Sequence, residues 1–220
     1  MLKHSEREKV LKSIEEDGVV AVVRGKSSDS MVQVAQTIAA GGVRAIELTF
    51  TTPDCLEVIK AVRKACGGTN VIGAGTVLDG ETARAAILAG AQFIVAPSTD
   101  YDTIQLCRRY NVPVMPGALT PTEVVRAWQA GADIVKIFPA NVMGPKYLKD
   151  LAGPLPQCRF TPTGGVDEKT IGEYIKCGAV AGGVGTALVD PKLVDEGNFG
   201  ELTERAKRLI AAVKAARAAK

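Results

Sequence analysis

The sequence predicts an α/β chain folded as a single (β/α)8 TIM barrel with an N-terminal helix, and three observations carry that expectation. Eight short apolar or β-branched runs alternate with stretches of helical pattern. Helix-stopping residues (Gly42, Gly67, Gly90, Asn111, Gly131, Pro154 and Gly178) fall 20 to 25 residues apart. A length of 220 residues suits eight compact βα units. Strand–helix alternation implies right-handed βαβ units and a parallel sheet, and eight such units close most simply as a barrel. A doubly wound open sheet is the competing architecture. The expected organisation is one domain over 1–220, with 1–18 an N-terminal helix, 19–190 the barrel and 200–220 a C-terminal helix.

Met1 to Asp17 is charged and helical in pattern, unlike a signal peptide. The strands are expected at Val19–Arg24, Ala45–Phe50, Val71–Val77, Phe93–Ser98, Pro113–Ala118, Ile134–Pro139, Phe160–Gly165 and Ala181–Leu188. Thr120-Pro121-Thr122-Glu123 reads as a capping box with proline in the first helical turn, opening a helix that stops at Gly131. The last helix is expected from near Glu201 and Glu204, with Leu202, Ala206, Leu209 and Val213 as its apolar stripe. Lys214, Arg217 and Lys220 close it, where positive charge suits the helix dipole.

Composition narrows the function. At 46% hydrophobic and 23% charged the chain reads as an ordinary soluble protein. A net charge of +3, with the basic residues dispersed, gives no nucleic-acid surface. No apolar run approaches the ~18 residues that span a membrane. The five cysteines, Cys55, Cys66, Cys107, Cys158 and Cys177, are scattered and odd in number, which fits reduced thiols in a cytoplasm. His4 is the sole histidine, sits in the charged first helix, and is expected at the surface. No cluster of carboxylates replaces it as a ligand set, so neither a metal nor another cofactor is expected.

The chemistry-bearing residue is Lys136, at the centre of the apolar run Ile134-Val135-Lys136-Ile137-Phe138-Pro139. An unpaired ammonium inside a barrel is costly, which favours the neutral, nucleophilic amine that Schiff-base chemistry needs. Alternation along the strand turns Ile134, Lys136 and Phe138 toward the interior. The same alternation puts Glu47, Thr49 and Thr51 on one face of the second strand and Ile46, Leu48 and Phe50 on the other. Glu47 is thus expected in the cavity of Lys136. Thr76 ends the third strand, Arg24 ends the first, and Thr161 and Thr163 lie on the seventh. A buried structural ion pair is the alternative use of Lys136 and Glu47. Gly164-Gly165 and Gly182-Gly183-Val184-Gly185-Thr186 close strands seven and eight, where barrels bind phosphate with backbone N–H groups. The alternative there is tight turns alone.

Taken together, Val20-Ala21-Val22-Val23-Arg24, Ile46-Glu47-Leu48-Thr49, Gly73-Ala74-Gly75-Thr76-Val77, Pro116-Gly117, Lys136-Ile137-Phe138-Pro139 and Pro162-Thr163-Gly164-Gly165-Val166 resemble the class I 2-keto-3-deoxy-6-phosphogluconate (KDPG/KHG) aldolase family. The resemblance runs from about Val19 to Val189. It implies a metal-independent, cytoplasmic, homotrimeric barrel of the Entner–Doudoroff pathway that cleaves the phosphorylated 2-keto acid to pyruvate and glyceraldehyde 3-phosphate. It also implies roles: Lys136 as the Schiff-base lysine and Glu47 as general acid/base. Thr76 and Thr163 would then hold the carboxylate end, Gly164, Gly165, Gly185 and Thr186 the phosphate, and Pro97 and Phe138 the pocket wall.

One position departs from the family pattern. An arginine in an ELTLRT-like segment is replaced by Thr51 in Glu47-Leu48-Thr49-Phe50-Thr51-Thr52, and Arg24 is expected to supply the missing charge. The same lysine would serve 4-hydroxy-2-oxoglutarate or 2-keto-3-deoxy-6-phosphogalactonate as substrate. A phosphosugar isomerase or epimerase would need paired carboxylates, a cysteine or a histidine at the strand ends. A trimeric barrel serving mainly as an assembly scaffold is the non-catalytic alternative.

Overall fold

The computed structural model describes residues 2–25, 27–68 and 70–219, so Met1 and Lys220 lie outside the described residues. Nine strands lie among them, alternating with helices except where one strand follows another directly at Pro116. The strands are β1 (Val19–Val23), β2 (Ala45–Thr49), β3 (Val71–Gly75), β4 (Phe93–Val95), β5 (Val114–Met115), β6 (Gly117–Ala118), β7 (Val135–Ile137), β8 (Phe160–Pro162) and β9 (Gly182–Val184). The helices are α1 (His4–Asp17), α2 (Ser28–Ala40), α3 (Cys55–Cys66), α4 (Gly80–Ala89), α5 (Tyr101–Arg109), α6 (Pro121–Ala130), α7 (Gly144–Ala152), α8 (Ile171–Lys176), α9 (Pro191–Asp195) and α10 (Phe199–Ala218).

All strand pairs are parallel, and they fall into two curled sheets, β5-β4-β3-β2-β1-β9 and β6-β7-β8. Sequential strands lie side by side and β9 returns to β1, an order without the reversal of a doubly wound sheet. The predicted fifth strand, Pro113–Ala118, is broken at Pro116. Proline has no N–H to give a ladder, so β5 pairs with β4 while β6 pairs with β7. The ladders therefore do not form one continuous eight-stranded ring. Between β8 and β9 there are isolated bridges only, Phe160 with Ala179 and Thr163 with Gly183.

The strands are shorter than expected, and for the seventh and eighth the local reason is clear. The seventh ends at Pro162, because Gly164 and Gly165 turn the chain through φ values of 96° and 70°. The eighth ends at Val184, because the Gly185 carbonyl accepts the N–H groups of Leu188 and Val189 at 2.9 Å each and starts a turn. The short α9, capped by Asp190, was not expected, and α10 begins at Phe199, close to the expected start.

The apolar residues separate into two layers. Ile46, Leu48, Val135, Ile137 and Phe160 pack outward beneath the helices. Val20, Ala45, Phe93, Val95, Met115, Ile134 and Ala181 form an inner group, which Val10, Leu11 and Ile14 of α1 close from below. Each buried aliphatic chain here contributes on the order of 1.5–3 kcal/mol. Polar contacts fix α1 across the strand N-termini: Arg7 with Asp133, Arg159 with Glu15, and Arg44 with Asp17 at 2.7 Å. Arg217 does more than meet a helix dipole, donating to the carbonyls of Glu16 at 2.6 Å and Val180 at 3.1 Å. His4 is exposed beside Glu8, 3.3 Å away.

The capping box of α6 forms as expected. Thr120 Oγ1 accepts from the Glu123 N–H at 3.3 Å, and the Glu123 carboxylate accepts from the N–H groups of Thr120 at 2.7 Å and Leu119 at 2.9 Å. Those N–H groups hold the Glu123 carboxyl below its usual range. Thr120→Ala is expected to lower stability by ~1 kcal/mol, read as a lower urea midpoint at unchanged slope.

Candidate active site

Lys136 and Glu47 approach each other in the interior, Nζ to Oε1 4.0 Å, with side chains 7% and 3% exposed. Each is carried by the middle of a strand. Glu47 is in register with Val22 and Gly73, and Lys136 with Gly117 and Thr161. The polar layer therefore lies directly above the inner apolar group. Small residues make its room: a Cβ on Gly75 would overlap the Glu47 carboxylate, and one on Gly117 would overlap the backbone of Pro97. Neither effect is visible in residue spacing, and both show why GAGT and PG segments border the site. The ring centroid of Phe138 lies 5.2 Å from Lys136 Nζ, within cation–π range.

A cavity of about 260 Å³ opens above this layer at the C-terminal ends of the strands. It brings together Arg24, Phe138, Thr163, Gly164, Gly165, Gly185 and Thr186, seven residues selected from sequence, with Val22 as the register partner of Glu47. Thr163 is buried, and its hydroxyl occupies the space that a side chain on Gly183 would need. Pro97 lines a second cavity of about 330 Å³, beside Ser98, Gly117, Glu123 and Arg126. Phe138 borders both and divides them. Thr76 lines neither. It follows β3 in a left-handed conformation, φ 57°, at partial exposure. Lys136 and Glu47 lie below the two cavities rather than on their walls.

Arg24 is exposed where the chain leaves β1. The next residue ties that exit to the loop after β2, as the Gly25 N–H donates to Thr52 Oγ1 at 3.3 Å. Thr51 Oγ1 pairs with Thr49 Oγ1 at 2.8 Å. Arg24 thus stands next to the loop that carries Thr51, where the resemblance implies an arginine. Asp167 also lines the first cavity, and the sequence reading gave it no role. Burial raises its carboxyl, but the Thr170 hydroxyl and the N–H groups of Thr170 and Lys169 outweigh that and hold it low. Its Oδ1 accepts from its own turn at 2.9–3.0 Å.

Among the described residues no three of His, Cys, Asp or Glu converge as ligands for a metal ion. The buried thiols stand apart from the cavity: desolvation pushes Cys55 up to about 11 and Cys107 up to about 12, which leaves both as unreactive thiols.

Similarity to known proteins agrees with this geometry. The family model for KDPG and KHG aldolase matches residues 10–205. A 2-dehydro-3-deoxy-phosphogluconate aldolase of Treponema pallidum is 33% identical over 202 residues, 91% of this chain and 96% of the relative. A 2-dehydro-3-deoxy-6-phosphogalactonate aldolase of Escherichia coli is 33% identical over 203 residues, 91% of this chain and 95% of the relative. A solved structure described as native KDPGal superposes with a TM-score of 0.85 at 30% identity, covering 91% of this chain and 96% of the other. With an interior lysine and glutamate beneath a glycine-rimmed cavity, and with these relatives along nearly its whole length, the chain belongs to the KDPG and KHG aldolase family of carbon–carbon lyases.

Proposed function

We propose that the protein is a class I aldolase that cleaves 2-keto-3-deoxy-6-phosphogluconate to pyruvate and glyceraldehyde 3-phosphate through an imine on Lys136. The observation that carries this is the 4.0 Å approach of Lys136 Nζ to Glu47 Oε1 under the cavity of Arg24 and the strand-end glycines. The neutral amine adds to the C2 ketone, and the carbinolamine loses water to give an iminium. The C3–C4 bond then breaks, its electrons pass into the iminium to form an enamine, and the proton of the C4 hydroxyl goes to Glu47 directly or through one water. Glu47 returns a proton to C3, and hydrolysis frees pyruvate and the lysine. Thr76 and Thr163 hold the carboxylate end, and Pro97 and Phe138 wall the pocket. Gly164, Gly165, Gly185 and Thr186 take the phosphate, with Arg24 as the neighbouring cation.

The galactonate epimer is the second reading, favoured by the galactonate aldolase among the relatives. Relative kcat/KM on the two epimers and on non-phosphorylated 4-hydroxy-2-oxoglutarate separates the candidates, and a preference for the last would remove the phosphate assignment.

The two sheets are further proposed to act as one closed eight-stranded barrel domain over 19–190. The bridges between β8 and β9 and the direct succession of β5 and β6 around Pro116 support this. The exposed apolar side chains Leu78, Tyr101, Val142 and Met143 support assembly with further copies as a homotrimer. No helix among the described residues is long and apolar enough to cross a membrane, which together with the buried cysteines supports a cytoplasmic enzyme.

Three results are expected. Incubation with pyruvate, borohydride reduction and peptide mass spectrometry place the adduct on Lys136, and a folded protein without an adduct removes the imine mechanism. Glu47→Gln still forms the adduct, while kcat falls by roughly 10²–10⁴-fold. Arg24→Ala raises KM for the phosphorylated substrate by about tenfold or more, the scale of one charge-assisted hydrogen bond, and an unchanged KM rejects the charge replacement.

A further inference from the structure

Lys136 has one neighbour at its own height on each adjoining strand: Gly117 across the β6–β7 ladder and Thr161 across the β7–β8 ladder. Residues in register on parallel strands share a face. Val135, Ile137 and Phe160 all pack into the outer layer, so Thr161 turns inward with Lys136. Gly117 has no side chain to offer. Thr161 offers a hydroxyl, 3% exposed, and its Oγ1 is the one buried side-chain polar atom among the described residues without a hydrogen-bond partner in the protein. The buried threonines at the end of β2 are engaged: Thr49 with Thr51 at 2.8 Å, and Thr52 with the Gly25 N–H at 3.3 Å. An unpartnered buried hydroxyl is destabilising, and valine would fill the same volume without that cost. The chemistry of the neighbouring lysine supplies a partner that exists only during turnover.

That chemistry follows from the proposed imine, on which this inference rests. When Nζ adds to C2, an N–C bond forms and a proton passes to the ketone oxygen. When the carbinolamine collapses, the C–O bond breaks and its oxygen leaves as water after taking one more proton, from Glu47 in its acid form. The nitrogen is then planar and positively charged, and it keeps a single N–H in a fixed direction. Glu47 at that moment must be free to receive the proton of the C4 hydroxyl. A second acceptor, neutral and already in place, leaves Glu47 available.

We propose that the Thr161 hydroxyl is a further catalytic group, the acceptor for the N–H of the Lys136 iminium. An interaction made with the intermediate and absent from the resting enzyme assists turnover rather than ground-state binding.

The test compares wild type with Thr161→Val and Thr161→Ser, using pyruvate at a subsaturating concentration, borohydride trapping and thermal melting. Thr161→Val is expected to trap roughly tenfold less adduct and to lose kcat in parallel, the scale of one hydrogen bond to a charged group. Its melting temperature should equal or exceed that of wild type, and Thr161→Ser should restore trapping. If Thr161→Val does not fold, Thr161→Cys, of similar volume and weak as an acceptor, takes its place with the same expectation. Equal trapping by wild type and the hydroxyl-free variant, or failure of serine to restore it, overturns the role of Thr161 and leaves the lysine mechanism intact. Absence of adduct in wild type overturns both.

Discussion

Two side chains that water would ordinarily solvate, Lys136 and Glu47, face each other where solvent barely reaches, and the architecture around them is arranged to tolerate this. Removing two charges from water costs several kcal/mol per ion, and mutual attraction offsets it only when geometry is favourable. At 4.0 Å the two heads are close enough to interact and too far apart for a hydrogen bond. A pair selected for stability would be closer or would be replaced by hydrocarbon. A loose pair fits the proposed mechanism, in which the nitrogen attacks the substrate and the carboxylate carries a proton. The neighbouring glycines belong to the same constraint, since side chains at Gly75 or Gly117 would push into the space that the pair and its wall occupy.

The two ends of the strands do different work. At the N-terminal end, Val10, Leu11 and Ile14 of α1 meet the inner apolar group, and arginine–carboxylate pairs hold the helix across the opening. Packing there is dense and the polar groups are paired. At the C-terminal end the chain turns through glycines with positive φ, and the cavity takes its walls from loops. Stability is concentrated below the polar layer, and the freedom to recognise a ligand lies above it. Phe138, between the two cavities, is the one large apolar wall that the site presents to both.

Much of this was legible in the sequence, for identifiable reasons. Period-two alternation put Glu47 and Lys136 on interior faces because hydrocarbon at Ile46, Leu48, Val135 and Ile137 fixed the other face. The capping box announced α6 because its hydrogen bonds are local. What the sequence concealed is long-range. Pro116 reads as one more apolar residue until strand pairing asks for its missing N–H. Arg217 reads as a helix-end cation, whereas its carbonyl partners lie about 200 residues away in Glu16 and nearer at hand in Val180. Gly75 looks like a turn former, and its role as clearance for a carboxylate appears only when β2 and β3 are set side by side. Thr161 is noticeable from its strand, but its proximity to Lys136 depends on the register between β7 and β8.

The helix across the strand N-termini carries a consequence for the order of events. With the strand N-termini covered by Val10, Leu11 and Ile14, the cavity above the polar layer lies on the opposite side, among the C-terminal loops. Under the proposed imine mechanism the fragment tethered to Lys136 would sit deepest, so the untethered aldehyde would leave first and pyruvate would follow once its bond to the lysine is hydrolysed. Run in the direction of carbon–carbon bond formation, the queue reverses: the keto acid enters first and is anchored, and the aldehyde arrives second. Under that mechanism the plug that stabilises the base of the fold would impose a last-in, first-out sequence on its traffic.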